Sequence, residues 1–280
     1  MSTITFLLVL TSALLHASWN LVAKRHAGNY SIIYLSFLFS SVVTGVLAVP
    51  YVQEITITPT LWFLLIVTGI LHAVYGFVLT LTYKHGDIST LYPIVRGTGI
   101  GGSVILSMIL LSERLTPISG VGVTLVISGI VVLSYRRNRV ATSLKAILLA
   151  LTCGTFIMSY TIADKLLVAD VHPIPVLAAS QIISVLVFLP YVLLQKRNEM
   201  VETFKSKLKP VLLISAIATT SYLIILYVMQ IAPVSRIVAV REASVVFGAI
   251  AGYVLLKEDF SRMRLIGVIG VLVGILLVKF

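Results

Sequence analysis

Two arginines lie deep inside long apolar stretches of the sequence, and they are separated by 145 residues. Arg96 occurs in Leu-Tyr-Pro-Ile-Val-Arg-Gly-Thr-Gly, and Arg241 occurs in Val-Ala-Val-Arg-Glu-Ala-Ser. A charge in such surroundings is costly and commonly belongs to a substrate or ion pathway. Because a planar guanidinium suits carboxylate and phosphate groups, we predict that both arginines bind an anionic group of a small molecule. The alternative is a structural ion pair, for which Glu242 is the nearest acid.

Glu242 is identified as the only acidic residue deep inside a predicted helix. One interpretation makes its carboxylate a site for a substrate amine or for a coupling proton. The other interpretation makes it the counter-ion of one of the arginines. An amine site beside arginines would suit a zwitterionic substrate.

A second set of candidates consists of hydrogen-bonding and aromatic side chains in other apolar stretches. His16 and Asn20 are four residues apart, so they share one face of a helix. Their imidazole and amide groups, and the indole of Trp19, need partners that lipid cannot supply, so we expect this face to border a cavity or another helix. The aromatic residues predicted to line the cavity, with packing between helices as the alternative, are Tyr75, Tyr92 and Tyr222.

No residue pattern points to catalysis, a metal or a cofactor. Neither His16 nor His72 has a second ligand at a metal-binding spacing, and the single cysteine, Cys153, excludes a disulfide framework. The sequence also lacks a cluster of acids or an activated nucleophile, so we predict that the protein is not an enzyme and holds no cofactor. Two further acids, Glu113 and Glu258, are predicted to form ion pairs with neighbouring basic residues in loops.

The composition indicates a membrane protein. Hydrophobic residues make up 59% of the 280 residues, charged residues only 11%, and the mean hydropathy is +1.08, whereas a soluble domain has about 25% charged residues. Runs of about 20 apolar residues predict helices that cross the bilayer, and the lack of alternating polarity argues against a β-barrel. The ten predicted spans are 3–23, 31–50, 61–83, 88–111, 117–135, 143–163, 174–194, 210–231, 234–256 and 263–279.

The two halves of the chain resemble each other. Gly122 recurs 145 residues later as Gly267, as Arg96 recurs as Arg241. We predict two repeats, residues 1–139 and 140–280, and because each contains five spans the second enters the membrane upside down. Each arginine lies about 12 Å from the start of its own helix, on opposite sides of the membrane. This spacing favours two separate binding positions unless the long side chains converge.

The formal net charge of +11 does not indicate a nucleic-acid partner, because the basic residues lie in short loops between apolar runs. Fifteen Lys and Arg residues fall on one side of the predicted topology and four on the other. The positive-inside rule therefore places the basic loops in the cytoplasm and both termini outside. We predict a multi-pass protein of the cell (cytoplasmic) membrane that contacts lipid and is a monomer or a homodimer.

Several motifs, taken in order, resemble the EamA family of the drug/metabolite transporter superfamily. The first half contains His-Ala-Ser-Trp-Asn-x-x-x-Lys at 16–24 and Arg-Gly-Thr-Gly at 96–99, and the second contains Val-Arg-Glu-Ala-Ser-Val-Val-Phe at 240–247. The resemblance covers essentially the whole chain. It implies a secondary carrier that works by alternating access around a central cavity, usually as an exporter of metabolites or drugs. The sequence departs from the family pattern at Ile100, where many members have proline, and at Ser112, where others have glycine.

We therefore predict a secondary active transporter that exports a small polar metabolite, anionic or zwitterionic, with a coupling proton as a further candidate ligand. One alternative is a multidrug exporter of hydrophobic cations, which would need an aromatic cavity and an unpaired acid. Another is a membrane scaffold without transport, whose centre would be filled by side chains.

Overall fold

The protein is helical throughout the part of the chain that the structure, a computed structural model, describes: residues 1–26, 29–53, 58–85, 88–135, 143–256 and 261–280. This confirms the all-α prediction. The helices are α1 (Thr3–Lys24), α2 (Tyr30–Val52), α3 (Pro59–Lys84), α4 (Ile88–Leu110), α5 (Pro117–Leu133), α6 (Leu144–Asp170), α7 (Pro173–Gln195), α8 (Arg197–Ser206), α9 (Leu208–Ile231), α10 (Val234–Arg241), α11 (Ala243–Leu256) and α12 (Arg262–Lys279).

Eight helical stretches are long and apolar enough to cross a membrane, with α10 and α11 counted together as one. They are Thr3–Lys24, Tyr30–Val52, Pro59–Leu79, Thr90–Leu110, Leu144–Asp170, Pro173–Gln195, Leu208–Ile231 and Val234–Leu255. The apolar helix α5 is shorter, with 17 residues. The outer surface carries large apolar side chains, among them Ile4, Val46 and Leu194, each more than two thirds exposed. A lipid environment is the one in which such a surface is stable.

The predicted span 234–256 is divided into two helices. α10 ends at Arg241 and α11 begins at Ala243, so the chain is interrupted at Glu242. The interruption leaves the carboxylate at the junction of two helices in the middle of an apolar segment. α4, which carries Arg96 and a run of glycines, is continuous.

Polar residues begin several helices, and two pairs of these caps are spaced like the repeat. Ser2 and Ser143, 141 residues apart, accept hydrogen bonds from the backbone N–H groups in the first turns of α1 and α6. Thr116 and Ser261, 145 residues apart, do the same for α5 and α12. Each cap satisfies a donor that the start of a helix leaves unpaired. These four helices therefore begin with the same kind of hydroxyl cap.

α5 and α12 pack closely through glycines of both helices. A Cβ atom placed on Gly122 would lie 2.7 Å from the carbonyl oxygen of Gly274, and one placed on Gly274 would lie 2.6 Å from the carbonyl oxygen of Gly122. A Cβ on Gly267 would lie 2.5 Å from the backbone nitrogen of Leu133. Only glycine allows the backbones to approach so closely. These glycines therefore serve contacts within one chain.

The remaining helices surround a centre built from both halves. α6 packs against α3 and α4, α1 packs against α9 and α11, and α2 packs against α7. α10 packs against α4, so the interruption after Arg241 lies beside the helix that carries Arg96. Gly154 of α6 allows close approach to α4, because a Cβ there would lie 2.8 Å from the carbonyl oxygen of Val95.

Candidate functional site

Arg96 and Glu242 form an ion pair at the centre of the bundle. The Nε of Arg96 donates to one carboxylate oxygen of Glu242 at 3.0 Å, and an Nη of Arg96 donates to the other. The side chain of Glu242 is 2% exposed and that of Arg96 is 14% exposed. A bidentate pair of this kind combines charge attraction with fixed geometry. Of the two interpretations of Glu242, the structure therefore shows the counter-ion, with Arg96 as its partner.

Arg241 is next to this pair and has no carboxylate of its own among the described residues. Its Nε is buried and lacks a hydrogen-bond partner within the described part of the chain. The guanidinium carbon lies 5.3 Å from the ring centroid of Tyr222, a cation–π distance. A buried donor without a partner is costly. Arg241 is thus the cation of this region that can still bind an acceptor.

A small cavity joins the two arginines. It has a volume of about 30 Å³ and is bordered by α4, α6 and the end of α10. The residues that line it are Arg96, Gly99, Ile100, Ser103, Ile157, Tyr160, Thr161, Val238, Arg241 and Glu242. One water needs about 10–15 Å³, so the cavity is large enough for a few waters but too small for a metabolite. The long arginine side chains converge here, although their helix positions favoured two separate sites.

A second polar cluster lies beside this cavity and includes an acid that the sequence analysis missed. α6 extends to Asp170, beyond the predicted end at 163, so Asp164 is inside the helix and is 1% exposed. Its carboxylate accepts a hydrogen bond from Thr68 Oγ1 at 2.5 Å, lies 3.0 Å from His72 Nε2, and accepts another from the hydroxyl of Tyr222. The prediction that Glu242 is the only acid deep in a helix was therefore wrong. The apolar residues 166–169, which follow Lys165, were the signal that the helix continues.

Aromatic rings connect the cluster to the cavity. His72 stacks on Tyr160, with ring centroids 4.0 Å apart, and Tyr160 lines the cavity. Tyr222 contacts His72 edge-on at 5.3 Å between centroids, while Tyr75 contacts Tyr160 at 5.7 Å. Of the predicted tyrosines, Tyr222 thus contacts Arg241, and Tyr75 reaches the cavity wall through Tyr160. Tyr92 packs against the large apolar core.

The polar residues of α1 interact mainly with each other. The indole Nε1 of Trp19 donates to Nδ1 of His16 at 3.3 Å. The amide of Asn20 donates to the backbone carbonyl of His16 at 2.7 Å and is exposed. His16 is within electrostatic range of Arg241 and Arg96. None of the three lines the cavity in this conformation.

Glu113 has a role that differs from the predicted loop ion pair. Its carboxylate accepts hydrogen bonds from the backbone N–H groups of Val234 at 2.6 Å and Ser235 at 3.0 Å, and from the Ser235 hydroxyl at 2.7 Å. Because an anion at a helix N-terminus satisfies free donors and the helix dipole, Glu113 fixes the start of α10. The other end of α10 carries Arg241. Glu258, the counterpart of Glu113, lies outside the described residues.

Comparison with known proteins supports the resemblance found in the sequence. The model of the EamA-like transporter family matches residues 144–280. No curated protein matches the chain. A solved crystal structure described only as that of a protein has a TM-score of 0.77 and 17% identity, and the alignment covers 100% of this chain and 99% of the other. At that identity the likeness concerns the fold alone. The chain is therefore a multi-pass membrane protein whose residues 144–280 match the EamA-like transporter family.

Proposed function

We propose that this protein is a secondary active transporter that exports a small polar metabolite, anionic or zwitterionic, by alternating access. The observation that carries the proposal is the unequal state of the two arginines. Arg96 is neutralised by Glu242, whereas the buried Nε of Arg241 has no partner within the described part of the chain. A carboxylate or phosphate entering the cavity would supply the missing acceptor.

The charges of the cavity favour an anion over a hydrophobic cation. Two opposite unit charges 4 Å apart attract each other by about 4 kcal/mol at an effective dielectric constant near 20, so Arg241 attracts an anion and repels a cation. A cation exporter would need an unpaired acid. Glu242 binds Arg96, and Asp164 is surrounded by three polar side chains. A zwitterion could place its amine against Glu242 by competing with Arg96.

Alternating access is supported by the relation between the two halves, residues 1–139 and 140–280. We infer ten spans, with α5 and α12 as the fifth and the tenth and α10–α11 as a broken ninth. The proposed pairs of equivalent helices are α1 and α6, α2 and α7, α3 and α9, α4 and α10–α11, and α5 and α12. When the members of every pair are exchanged, the contacts of α6 with α3 and α4 become those of α1 with α9 and α11. The contacts of α2 with α7, of α4 with α10 and of α5 with α12 are unchanged. This is the pattern expected of inverted repeats.

The position of the cavity agrees with such an arrangement. Carriers of this type bind substrate between the repeats, often beside a discontinuous helix. Here the cavity lies between α4 of the first half and α6 and α10 of the second, next to the interruption at Glu242. Because it admits only a few waters, one bundle must move away from the other before a metabolite can enter. With the basic loops in the cytoplasm, both termini are on the outer side.

A ligand screen tests the proposed substrate class. The purified protein is heated with organic anions, amino acids and cationic dyes, and the hits are tested by counterflow in proteoliposomes. A ligand at 100 times its Kd stabilises the folded state by about 2.7 kcal/mol. We expect an anion or a zwitterion to raise the unfolding temperature by the amount that this stabilisation implies. We expect Arg241→Gln to abolish this thermal shift.

Arg236→Gln is the matched control for that variant. It removes the same charge from the same helix, but Arg236 donates to the carbonyl oxygens of Lys279 and Phe280 away from the cavity. The control should keep the anion-dependent shift. Stabilisation and flux of cationic dyes that survive Arg241→Gln would support the multidrug exporter instead. Binding of an anion equally by all three proteins would remove Arg241 from the site.

A further inference from the structure

Thr68, His72, Asp164 and Tyr222 form a cluster in which Tyr222 contacts Arg241 of the anion site, whereas the carboxylate of Asp164 and the imidazole of His72 have no role in that site. We propose that this cluster, here called the Asp164 cluster, is the proton-binding site of the carrier, with His72 as the group that gains and loses the proton. The inference rests on the proposed transport function. It replaces Glu242, the acid that the sequence indicated as a candidate proton carrier.

Glu242 is poorly suited to carry a proton because of its partner. The guanidinium of Arg96 stays charged under all ordinary conditions and holds both carboxylate oxygens of Glu242. Protonation of that carboxylate would leave a buried cation without compensation, which is strongly unfavourable. Glu242 therefore serves as the counter-ion of Arg96 and not as the proton carrier.

The Asp164 cluster has the chemistry that a reversible proton site needs. The ordinary pKa of an imidazole, about 6.5, lies in the physiological range. His72 is 19% exposed, so the protein does not enclose its ring completely, whereas Asp164 is 1% exposed and is held by two hydroxyl donors as well as by the imidazole. Asp164 thus provides a fixed negative charge 3.0 Å from the titrating ring. A buried charge network is costly to keep for structure alone.

The proton balance of loading is simple. In the empty site the neutral imidazole donates its Nε2–H to the ionised carboxylate of Asp164. Loading adds a proton from water to Nδ1, which gives an imidazolium that still donates from Nε2. The net charge of the cluster changes from −1 to 0, and no covalent bond other than N–H forms or breaks. After the bundle reorients, the same proton leaves Nδ1 for water on the other side.

Tyr222 connects this change to the anion site. Its hydroxyl donates to Asp164 while its ring lies 5.3 Å from the guanidinium of Arg241. With the site empty, the charges of Arg241 and Asp164 sum to zero, although the two groups form no ion pair among the described residues. Loading adds one positive charge to this region. The proton and an anionic substrate should therefore bind together, and each should raise the affinity of the other by the same factor. Export then carries a proton out with the anion and is driven by the outward gradient of the anion itself.

The neighbouring titratable and charged groups do not supply another site of this kind. Tyr160 on α6 contacts His72, and Arg241 on α10 contacts Tyr222. Further away, Tyr75 on α3 contacts Tyr160, Arg96 on α4 is within electrostatic range of Tyr160, and His16 on α1 is within electrostatic range of both arginines. The arginines do not lose their protons, and the tyrosines titrate far above neutral pH. α7 faces α3 with the uncharged Ser184. His16 has no carboxylate partner among the described residues.

The proton site can be tested without a substrate. Full-length protein labelled with ¹⁵N at the histidine rings is placed in nanodiscs, and its NMR spectrum is recorded between about pH 5 and pH 8. His72→Gln assigns the His72 signal by its disappearance. We expect the His72 ring signals to change with pH in the wild type and to lose or alter that dependence in Asp164→Asn, because the neutral amide is no counter-charge for an imidazolium. The same pH dependence in both proteins overturns the site.

Coupling is tested with a matched pair of variants on α9. Tyr222→Phe removes the hydroxyl that contacts Asp164, whereas Tyr227→Phe removes a hydroxyl that contacts His172. Hydrogen exchange of α9 and α10, corrected for the intrinsic effect of pH, should depend on protonation in the wild type and in Tyr227→Phe but not in Tyr222→Phe. If hydrogen exchange stops depending on protonation in both variants, or in neither, the Tyr222 hydroxyl does not couple the Asp164 cluster to the anion site.

Transport measurements distinguish failure of this inference from failure of the proposed function. In proteoliposomes, Asp164→Asn should lose accumulation driven by a pH gradient while retaining counterflow of the anion, and Arg241→Gln should lose both. For the wild type, affinity for the anion should rise up to about tenfold per pH unit as His72 becomes protonated. A wild type that titrates as expected but moves no compound of the panel would contradict transport and leave the proton site supported. Gradient-driven accumulation by Asp164→Asn at the wild-type rate would overturn the coupling.

Discussion

Arg96 on α4 and Glu242 at the junction of α10 and α11 form a buried bidentate ion pair that joins the two halves of the chain. The pair neutralises one of the two arginines in the cavity and leaves the other, Arg241, as the cation available to a ligand. The interruption of the helix at Glu242 leaves this carboxylate between α10, which has 8 residues, and α11, which has 14. The charge balance of the site thus depends on the position of Glu242 at the junction of α10 and α11.

Replacing one partner of this pair should destabilise the protein much more than replacing both. Glu242→Leu leaves the Arg96 guanidinium buried without a counter-charge, so we expect a loss of about 3–5 kcal/mol in the free energy of unfolding. Arg96→Met should cause a similar loss for the converse reason. The double variant has no uncompensated charge and should recover most of the stability. Thermal unfolding of the four proteins in detergent gives the coupling energy, and a double variant whose loss equals the sum of the single losses would show that the two residues act independently.

A partly exposed pair provides the control for that cycle. Lys196 and Glu199 are 2.6 Å apart, but their side chains are 30% and 28% exposed. A pair screened by solvent contributes less than about 1 kcal/mol. Lys196→Met should therefore change the unfolding temperature only slightly.

The capping of α10 by Glu113 gives a second prediction. Glu113→Ala removes the acceptor of three hydrogen bonds at the start of α10, and loss of an N-cap acceptor typically costs about 1–2 kcal/mol. Faster hydrogen exchange at Val234 and Ser235 is the direct measure. Because α10 also positions Arg241, the anion-dependent thermal shift should weaken as well.

Glu202→Ala is the matched control, since it removes an exposed acid from α8 and should change stability by no more than about 0.5 kcal/mol. Unchanged exchange at the start of α10 in Glu113→Ala would mean that the cap contributes nothing to the position of this helix.

Much of this architecture is readable from the sequence because lipid imposes simple rules. Runs of about 20 apolar residues must be helices, and the repeated glycines mark the α5–α12 contact. The buried arginines are equally visible, because a charge in an apolar run is rare. The interruption at Glu242 is not visible, since the run 234–256 is apolar on both sides of it and contains no glycine or proline at the junction.

The polar partners were harder to predict for a related physical reason. Asp164 is followed by Lys165, and two adjacent charges resemble the end of a span. In the structure the ammonium of Lys165 reaches the backbone carbonyls of Met229 and Ala232, so α6 continues past both charges. Glu113 lies in a loop, and the N–H group that its carboxylate binds belongs to Val234, 121 residues away. No local sequence pattern encodes such a contact. Sequence periodicity reports which face is apolar but not which distant donor a carboxylate will find.

The glycines of the α5–α12 contact can be tested against a glycine that contacts nothing. Gly267→Ala would place a Cβ atom 2.5 Å from the backbone nitrogen of Leu133, so the helices must separate, at a cost of about 1–3 kcal/mol. Gly248→Ala meets no atom within 4 Å and should be neutral or stabilising by about 0.5–1 kcal/mol, since alanine favours a helix. Folded yield and unfolding temperature in detergent compare the two. Equal behaviour of the variants would contradict the close approach of α5 and α12.

The contact between α8 and α2 should depend on pH. Partial burial tends to raise the pKa of Glu199, but hydrogen bonds from Lys196 and from the backbone and hydroxyl of Ser31 outweigh burial, and the net pKa is lowered from 4.5. Because the folded-state pKa is below the unfolded value, the stabilisation is fully present above about pH 4.5 and is lost as pH falls through the folded-state pKa. Acidification should therefore release α8 from the start of α2.

Hydrogen exchange of residues 197–206 between about pH 3 and pH 7, corrected for the intrinsic rate, measures this release. In Glu199→Gln the carboxylate is absent at every pH, so α8 should exchange faster at neutral pH and lose its pH dependence. Glu202→Gln, which alters an exposed acid of the same helix, should behave like the wild type. A pH dependence that persists in Glu199→Gln would assign the release of α8 to a different group.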